Sequence, residues 1–158
     1  MGKVDPMEDK GRLPPRWFIR FAWRVHRRLY SVTGGRLGLR RPKPGGYGIL
    51  CLHSIGRRTG NEREVMVGYF EDGPNLVTMA MNGWGEAEPA WWLNLQAHPA
   101  VQIHLVDRSL RVIGREAVGQ ERERLWAQWR EIDKNLDGYA ARRPSQTAVV
   151  VLEPVSDS

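Results

Sequence analysis

The spacing of apolar and polar positions changes twice along the chain. From Arg16 to Tyr30, "RWFIRFAWRVHRRLY", the residues Phe18, Phe21, Ala22, Val25 and Leu29 recur at intervals of three and four. Arg16, Arg20, Arg24 and Arg27 form a second stripe. This predicts an amphipathic helix, opened by Pro14 and Pro15. Thr33–Gly46 is a basic linker rich in glycine and proline, with no apolar rhythm. Beyond it the pattern shortens to strands. "YGILCLHSI" (47–55) and "REVMVGYFED" (63–72) flank a glycine-containing turn as a hairpin. "DGP" (72–74) is a second turn, leading into strand "NLVTMAMN" (75–82). "PAWWLNLQAH" (89–98) predicts a short helix, with Pro89 near its start and Pro99 just past its end. "AVQIHLVD" (100–107) and "RSLRVIGREA" (108–117) predict a strand and its returning partner. Leu125, Trp126, Trp129 and Ile132 share one face of a helix spanning 118 to about 135. "SQTAVVVLEPV" (145–155) predicts a last strand.

The order is helix, three strands, short helix, two strands, helix, strand. Tight turns between successive strands imply antiparallel pairing. Six such strands with few charges on their runs tend to close into a barrel and so remove their edges. The expected class is mainly β (α+β), an antiparallel barrel with an N-terminal amphipathic helix and a C-terminal helical segment. Residues 1–46 form a basic N-terminal segment with helix and linker, and residues 47–158 the barrel domain.

Charge sharpens that division. Residues 1–44 carry 12 Lys and Arg against 3 Asp and Glu; the rest carry 12 against 15. The basic character belongs to an appended element, which argues against a domain wrapped in nucleic acid. No stretch has the length and apolarity of a transmembrane helix or a signal-peptide core, so a cytoplasmic protein is expected. The helix over residues 14–32 suits two surroundings. Its aromatic face and arginines fit the inner surface of an anionic membrane, and they fit docking on the barrel equally well. A single cysteine, Cys51, allows no internal disulfide and reads as core.

Two stretches carry candidate chemistry. In "LHSIGRRTGNERE" (52–64), Gly56 and Gly60 permit positive φ, so backbone N–H groups can face one concavity. Arg57, Arg58 and Arg63 add charged donors and Thr59 a hydroxyl. This is an anion-binding layout without the spacing of a Walker A loop; an ordinary solvated basic turn has the same composition. In "MAMNGWGEAEPAWWLNL" (79–95), apolar and aromatic residues beside a glycine loop could receive a flat ring. Asn94 could fix a polar edge of that ring or cap local backbone, and Trp91 and Trp92 could instead pack the helix on the barrel. His26, His53, His98 and His104 show no ligand spacing. Asp133 and Asp137 read as a solvated helix face. With neither a metal set nor an acid–base pair, redox chemistry would have to come from a bound cofactor.

Together, "GRRTGNER" and "PAWWLNLQAHP" resemble the signature of the deazaflavin-dependent nitroreductase family of actinobacterial oxidoreductases, and the resemblance runs from about Gly48 to Pro154. It implies a split, FMN-binding-like β-barrel and the deazaflavin coenzyme F-420 (8-hydroxy-5-deazaflavin with a polyglutamate tail), with FMN as the alternative cofactor. It places the tail on Arg57, Arg58, Thr59, Gly60 and Arg63. The strand Glu64, Val65, Met66, Val67 and Gly68 would run beside the coenzyme. Met79, Ala80, Met81 and Asn82 would border the ring, with Ala90, Trp91, Trp92, Leu93 and Asn94 close by.

The implied function is hydride transfer from reduced F-420 to an organic acceptor such as a quinone, enone or nitro compound. Tyr139 is the candidate proton donor because a tyrosine lines the substrate side in relatives; Ser54 is a second. The chain lacks the further tyrosines that nitroimidazole-reducing members carry near Tyr139. It also lacks their basic residue at Asn82 and their tyrosine at Gly68. Quinones, including menaquinone, fit the basic aromatic N-terminal helix better, since a lipophilic acceptor would be reached from a membrane surface. The rival function is a barrel that binds the coenzyme or a lipid without turnover. Related barrels often pair, which leaves a homodimer open.

Overall fold

The computed structural model describes residues 38–81, 85 and 87–156. The helix expected over Arg16–Tyr30 and the ring-side candidate Asn82 lie outside the described residues. Six strands form a closed barrel: β1 (Gly48–Ile55), β2 (Glu62–Asp72), β3 (Asn75–Met79), β4 (Ala100–His104), β5 (Ser109–Glu116) and β6 (Val149–Pro154). Their order around the barrel is β1-β2-β3-β6-β5-β4, and every neighbouring pair is antiparallel. The seam is made by β1 and β4, where Cys51, Leu52 and His53 stand opposite His104, Ile103 and Gln102. Each strand thus has a partner on both sides, and no row of backbone polar groups is left at an edge.

Alternation along the strands divides the apolar residues between two cores. Leu50, Leu52, Val67, Tyr69, Ile103, Val112, Val150 and Leu152 fill the barrel. Helix α1 (Ala90–Ala97) closes one end of it with Trp91, Trp92 and Leu95. A Cβ on Gly114 of β5 would lie 2.5 Å from Leu95 Cδ2, so the bare glycine is what admits the leucine. On the outside of β2, β3 and β6, Phe70, Val77, Met79, Val149 and Val151 are covered by helix α2 (Gly119–Ile132). Leu125 and Trp129 do most of the covering, and Leu136 of the short helix α3 (Leu136–Ala140) adds to it. Cys51 packs against Met66, Leu39 and Ile49. Leu39 and Arg40 already lie on the barrel wall, where Arg40 bridges Ile49.

Three expectations are corrected. Strand β3 stops at Met79 and not at Asn82, because Ala80 gives its N–H to the Ala148 carbonyl and Met81 turns back on Met79. Strand β6 begins at Val149, four residues later than read from the sequence. Asp137 is not merely solvated: it accepts a 2.7 Å hydrogen bond from Trp126 Nε1 and pairs with Arg130, fastening α3 to α2.

Helix α2 is also pinned by charge. Asp72 at the end of β2 receives both terminal nitrogens of Arg124, and Glu121 pairs with Arg115 of β5. The hydrogen bond from Arg124 holds the Asp72 carboxyl below its usual range, that from Arg115 does so for Glu121, and those from Trp126 and then Arg130 do so for Asp137. A depressed native value means that the unfolded chain takes up protons first as pH falls. The stabilisation is therefore present above the ordinary carboxylate range and is lost on acidification through it. The melting temperature should fall steadily between about pH 5 and about pH 3. In Arg124→Gln that slope should flatten, and a melting curve insensitive to pH in this window would contradict the assignment.

Candidate functional site

The β1–β2 turn is closed by its own polar groups. Gly56 N–H donates to the Asn61 carbonyl at 2.7 Å, Gly60 N–H to the Gly56 carbonyl at 2.8 Å, and Asn61 N–H to Thr59 Oγ1 at 3.2 Å. Gly60 has a φ of 72°, the left-handed conformation that favours glycine. Gly56 does not share it and is required for another reason: a Cβ there would meet Thr59 Oγ1 at 2.8 Å. The hydroxyl of Thr59 is thus part of the turn's internal closure.

The turn is anchored from below by Asn94 of α1, which is 5% exposed. Asn94 Oδ1 accepts the Arg57 backbone N–H at 3.1 Å and Arg57 Nη1 at 3.0 Å, and Nδ2 donates to Ser54 Oγ at 3.5 Å. Ser54 is fully buried and donates to the Arg63 carbonyl at 3.4 Å. One amide therefore ties the helix, the last turn of β1 and the start of β2 together. Asn94 serves the turn's backbone, and Arg57 is tethered. Arg58 and Arg63 are exposed, and among the described residues neither guanidinium has a hydrogen bond or ion pair. The backbone N–H groups of Arg58 and Thr59 likewise have no partner. This concentration of unsatisfied donors on a rigid turn suits a polyanion.

The ring-side candidates separate by face. Val65 and Val67 point into the barrel core and Met66 is buried against Cys51, Leu39 and Ile49, so along this stretch of β2 only backbone, Glu64 and the bare Gly68 are left to face a ligand. A Cβ on Gly68 would lie 3.0 Å from the Tyr47 ring, which stacks on Trp129. Ala80 is fully buried and joins the barrel core; Met79 belongs to the outer core with Met81 at its margin. Trp91 and Trp92 are both buried and seal the barrel end, while Ala90 is exposed and Leu93 half-buried. Tyr139, half-buried on α3, has the Arg142 guanidinium 6.0 Å above its ring.

Two features were invisible along the chain. Arg143 is buried, and its guanidinium reaches the loop between β3 and α1 at Ala80, Gly85 and Glu88. Strand pairing also brings His53 and His104 together, rings 4.4 Å apart and tilted. Burial, and then the neighbouring His53, push the His104 imidazole below its usual value. Neither could be found from local spacing, since the partners are 50 or more residues apart. Among the described residues no group of three or more His, Cys, Asp and Glu is arranged to hold a metal, and no helix is long and apolar enough to cross a membrane.

A sequence model of the F420H(2)-dependent quinone reductase family matches residues 22–154. An F420H(2)-dependent quinone reductase of Mycobacterium tuberculosis (strain ATCC 25618 / H37Rv) is 31% identical over 132 residues, covering 82% of this chain and 87% of the relative. Among solved structures, an F420-H2 dependent reductase (FDR-A) superposes with a TM-score of 0.62 at 26% identity, over 73% of this chain and 96% of that one. A protein solved as a domain-swapped dimer superposes with a TM-score of 0.65 at 25% identity, over 89% and 100%.

Replacing Asn94 by Ala removes the acceptor for Arg57 and the donor to the buried Ser54 hydroxyl. Stability should fall by about 1–3 kcal/mol in denaturant titration, and the Arg57 amide should exchange faster with solvent while the amides of β3 and β6 keep their protection. Unchanged exchange at Arg57 would show that Asn94 does not hold the turn.

Proposed function

This chain belongs to the F420H(2)-dependent quinone reductase family, and on that premise we propose that the Gly56–Asn61 turn and the loop after β3 are the two halves of its coenzyme site. The protein is an oxidoreductase whose coenzyme is F-420 and whose reaction is hydride transfer to a quinone-type acceptor. The observation that carries the site assignment is the pair of exposed guanidinia, Arg58 and Arg63, which with the Arg58 and Thr59 backbone N–H groups have no partner among the described residues, on a turn locked by Asn94. An acidic tail fits this donor set; the neutral edge of a ring would leave two charges without a partner.

When bound, the reduced coenzyme would supply a hydride, which with one proton from a hydroxyl of the protein or from solvent converts a quinone to its hydroquinone. The chain's own residues hold and exclude. Arg58, Arg63 and the turn N–H groups grip the tail, with Arg57 and Thr59 stiffening the grip and Gly60 giving it shape. The backbone of Glu64–Gly68 and the exposed Glu64 side chain line one side. Met79–Met81 and the start of α1, Ala90 to Asn94, give an apolar border from which water is kept away. Tyr139 is the proposed donor where the proton does not come from solvent. Ser54, with its hydroxyl engaged under the turn, serves in this proposal to hold the turn's shape. Quinones are the primary acceptors in this reading, with enones and nitro compounds as secondary ones. Pairing of two copies is supported by the solved neighbour described as a domain-swapped dimer.

Fluorescence titration of the full chain with F-420 tests the site. Arg58→Ala and Arg63→Ala should each weaken binding by about tenfold at low salt, and less as salt is raised. Equal affinity in both variants would place the tail elsewhere, and tighter binding of FMN would overturn the cofactor. Saturable F-420 binding with no oxidation of the reduced coenzyme by menadione would favour the non-catalytic reading.

Membrane contact through residues 14–32 rests on the aromatic and arginine pattern alone. Partitioning onto vesicles containing anionic lipid should be strong for the full chain, weak on neutral vesicles and lost on deleting residues 1–34. Equal partitioning of the truncated chain would reject the idea, and with it a place on the inner membrane face.

A further inference from the structure

Arg143 is a charged side chain whose exposure is 0%, and the coenzyme assignment gives it no role. Its guanidinium is shared among four acceptors. Nε donates to the Gly85 carbonyl at 3.1 Å. Nη1 donates to the Ala80 carbonyl at 3.1 Å and to Thr147 Oγ1 at 2.8 Å. Nη2 donates to Glu88 Oε1 at 3.1 Å. Ser145 Oγ reaches the same Glu88 oxygen at 3.3 Å. Three of these partners, Ala80, Gly85 and Glu88, mark the beginning, middle and end of the β3–α1 connection, while Thr147 stands just before β6.

Burying a guanidinium is costly, and an apolar side chain of similar size would often serve stability as well or better. What an apolar side chain cannot do is fix three points of a loop in one plane. Lysine cannot do so either, because its three donors radiate from a single nitrogen. The loop needs such a device. Strand β3 ends at Met79 and α1 begins at Ala90, and none of the described residues between them belongs to a strand. The segment that carries Arg143 also carries Tyr139 four residues earlier, so the guanidinium joins the proposed ring side to the proposed acceptor side.

We propose that Arg143, held by Glu88 and Thr147, is a positioning residue for the deazaflavin ring. It touches neither coenzyme nor acceptor; it fixes the positions of Ala80, Gly85 and Glu88, beside which the ring lies in the coenzyme reading. The inference rests on the coenzyme reading above and deepens it. It divides the site by function: Arg58 and Arg63 govern the tail, and Arg143 governs the ring.

The two halves can be probed separately with intact F-420 and with 8-hydroxy-5-deazaflavin lacking the phosphate and glutamate tail, using Arg143→Gln, Arg143→Lys and Glu88→Gln in the full chain. Binding of the tail-less deazaflavin should weaken by about tenfold in the Arg143 variants, while kcat with menadione falls by about tenfold or more and the KM for menadione changes little. Arg58→Ala should leave tail-less binding unchanged. Arg143→Lys should recover less than half of the lost turnover, because charge without the planar fork is not enough. A lowered melting temperature with kcat and tail-less binding unchanged would reduce Arg143 to a structural residue and overturn the proposal. If Arg143→Gln does not fold, Thr147→Val and Glu88→Gln decide by the same two readouts. Failure of the unaltered chain to bind intact F-420 would remove the coenzyme reading and this inference with it. Normal binding by the unaltered chain with unaffected Arg143 variants removes this inference alone.

Discussion

Closure of the sheet along β1 and β4 is the constraint from which the remaining features follow. Once Leu52 pairs with Ile103, every strand has two neighbours and the inward residues must fill a barrel too narrow to hold solvent. The side chains that do so are Leu, Val and Ile at alternate positions. The ends remain open, and α1 stops one of them with Trp91, Trp92 and Leu95, for which Gly114 leaves the space. Strand β3 runs antiparallel to β2, so it ends at the barrel end that carries the β1–β2 turn. The two stretches proposed as halves of the coenzyme site share that end for this reason.

Two buried polar side chains then convert proximity into fixed geometry. Asn94 projects from the plug to hold the turn, and Arg143 comes in just before β6 to hold the connection. In each case a side chain anchored on a regular element, or beside one, satisfies backbone groups of an irregular segment that lacks a ladder partner. Such contacts add modest net stability, because each replaces a hydrogen bond to water. Their effect is on placement. A turn held rigid before a ligand arrives loses less entropy on binding one, which is what the proposed role of the β1–β2 turn requires.

Most elements were legible in the chain because their signals are local. The alternation in "YGILCLHSI" and the glycines of "GRRTG" mark the first hairpin, and "DGP" marks the second. Trp129 and Leu125 mark the covered face of α2. The departures have a common cause. Strand β3 reads on through Met81 because its apolar alternation does, yet strand pairing ends where Ala148 takes the Ala80 N–H. Asp137 reads as a solvated carboxylate until α3 folds back and brings it to Trp126. In the candidate site, the donors on the turn were visible as composition. Which donors are free and which are engaged was not, because Arg57 meets Asn94 only across 37 residues of sequence.

Sequence by itself determined the periodicities, the turn chemistry, the concentration of cationic donors between Gly56 and Arg63, and the paired motifs that resemble a deazaflavin-binding family. These depend on residue type and on neighbours within a few positions. Only the tertiary structure decided that Ser54 and Asn94 are struts beneath the turn, that Trp91 and Trp92 seal the barrel, and that His53 meets His104. It alone placed Arg143 against Ala80, Gly85 and Glu88, beside the proposed ring site. The physical reason is the same throughout: a hydrogen-bonding group shows its role only when burial removes water and leaves a distant partner as its sole way to be satisfied.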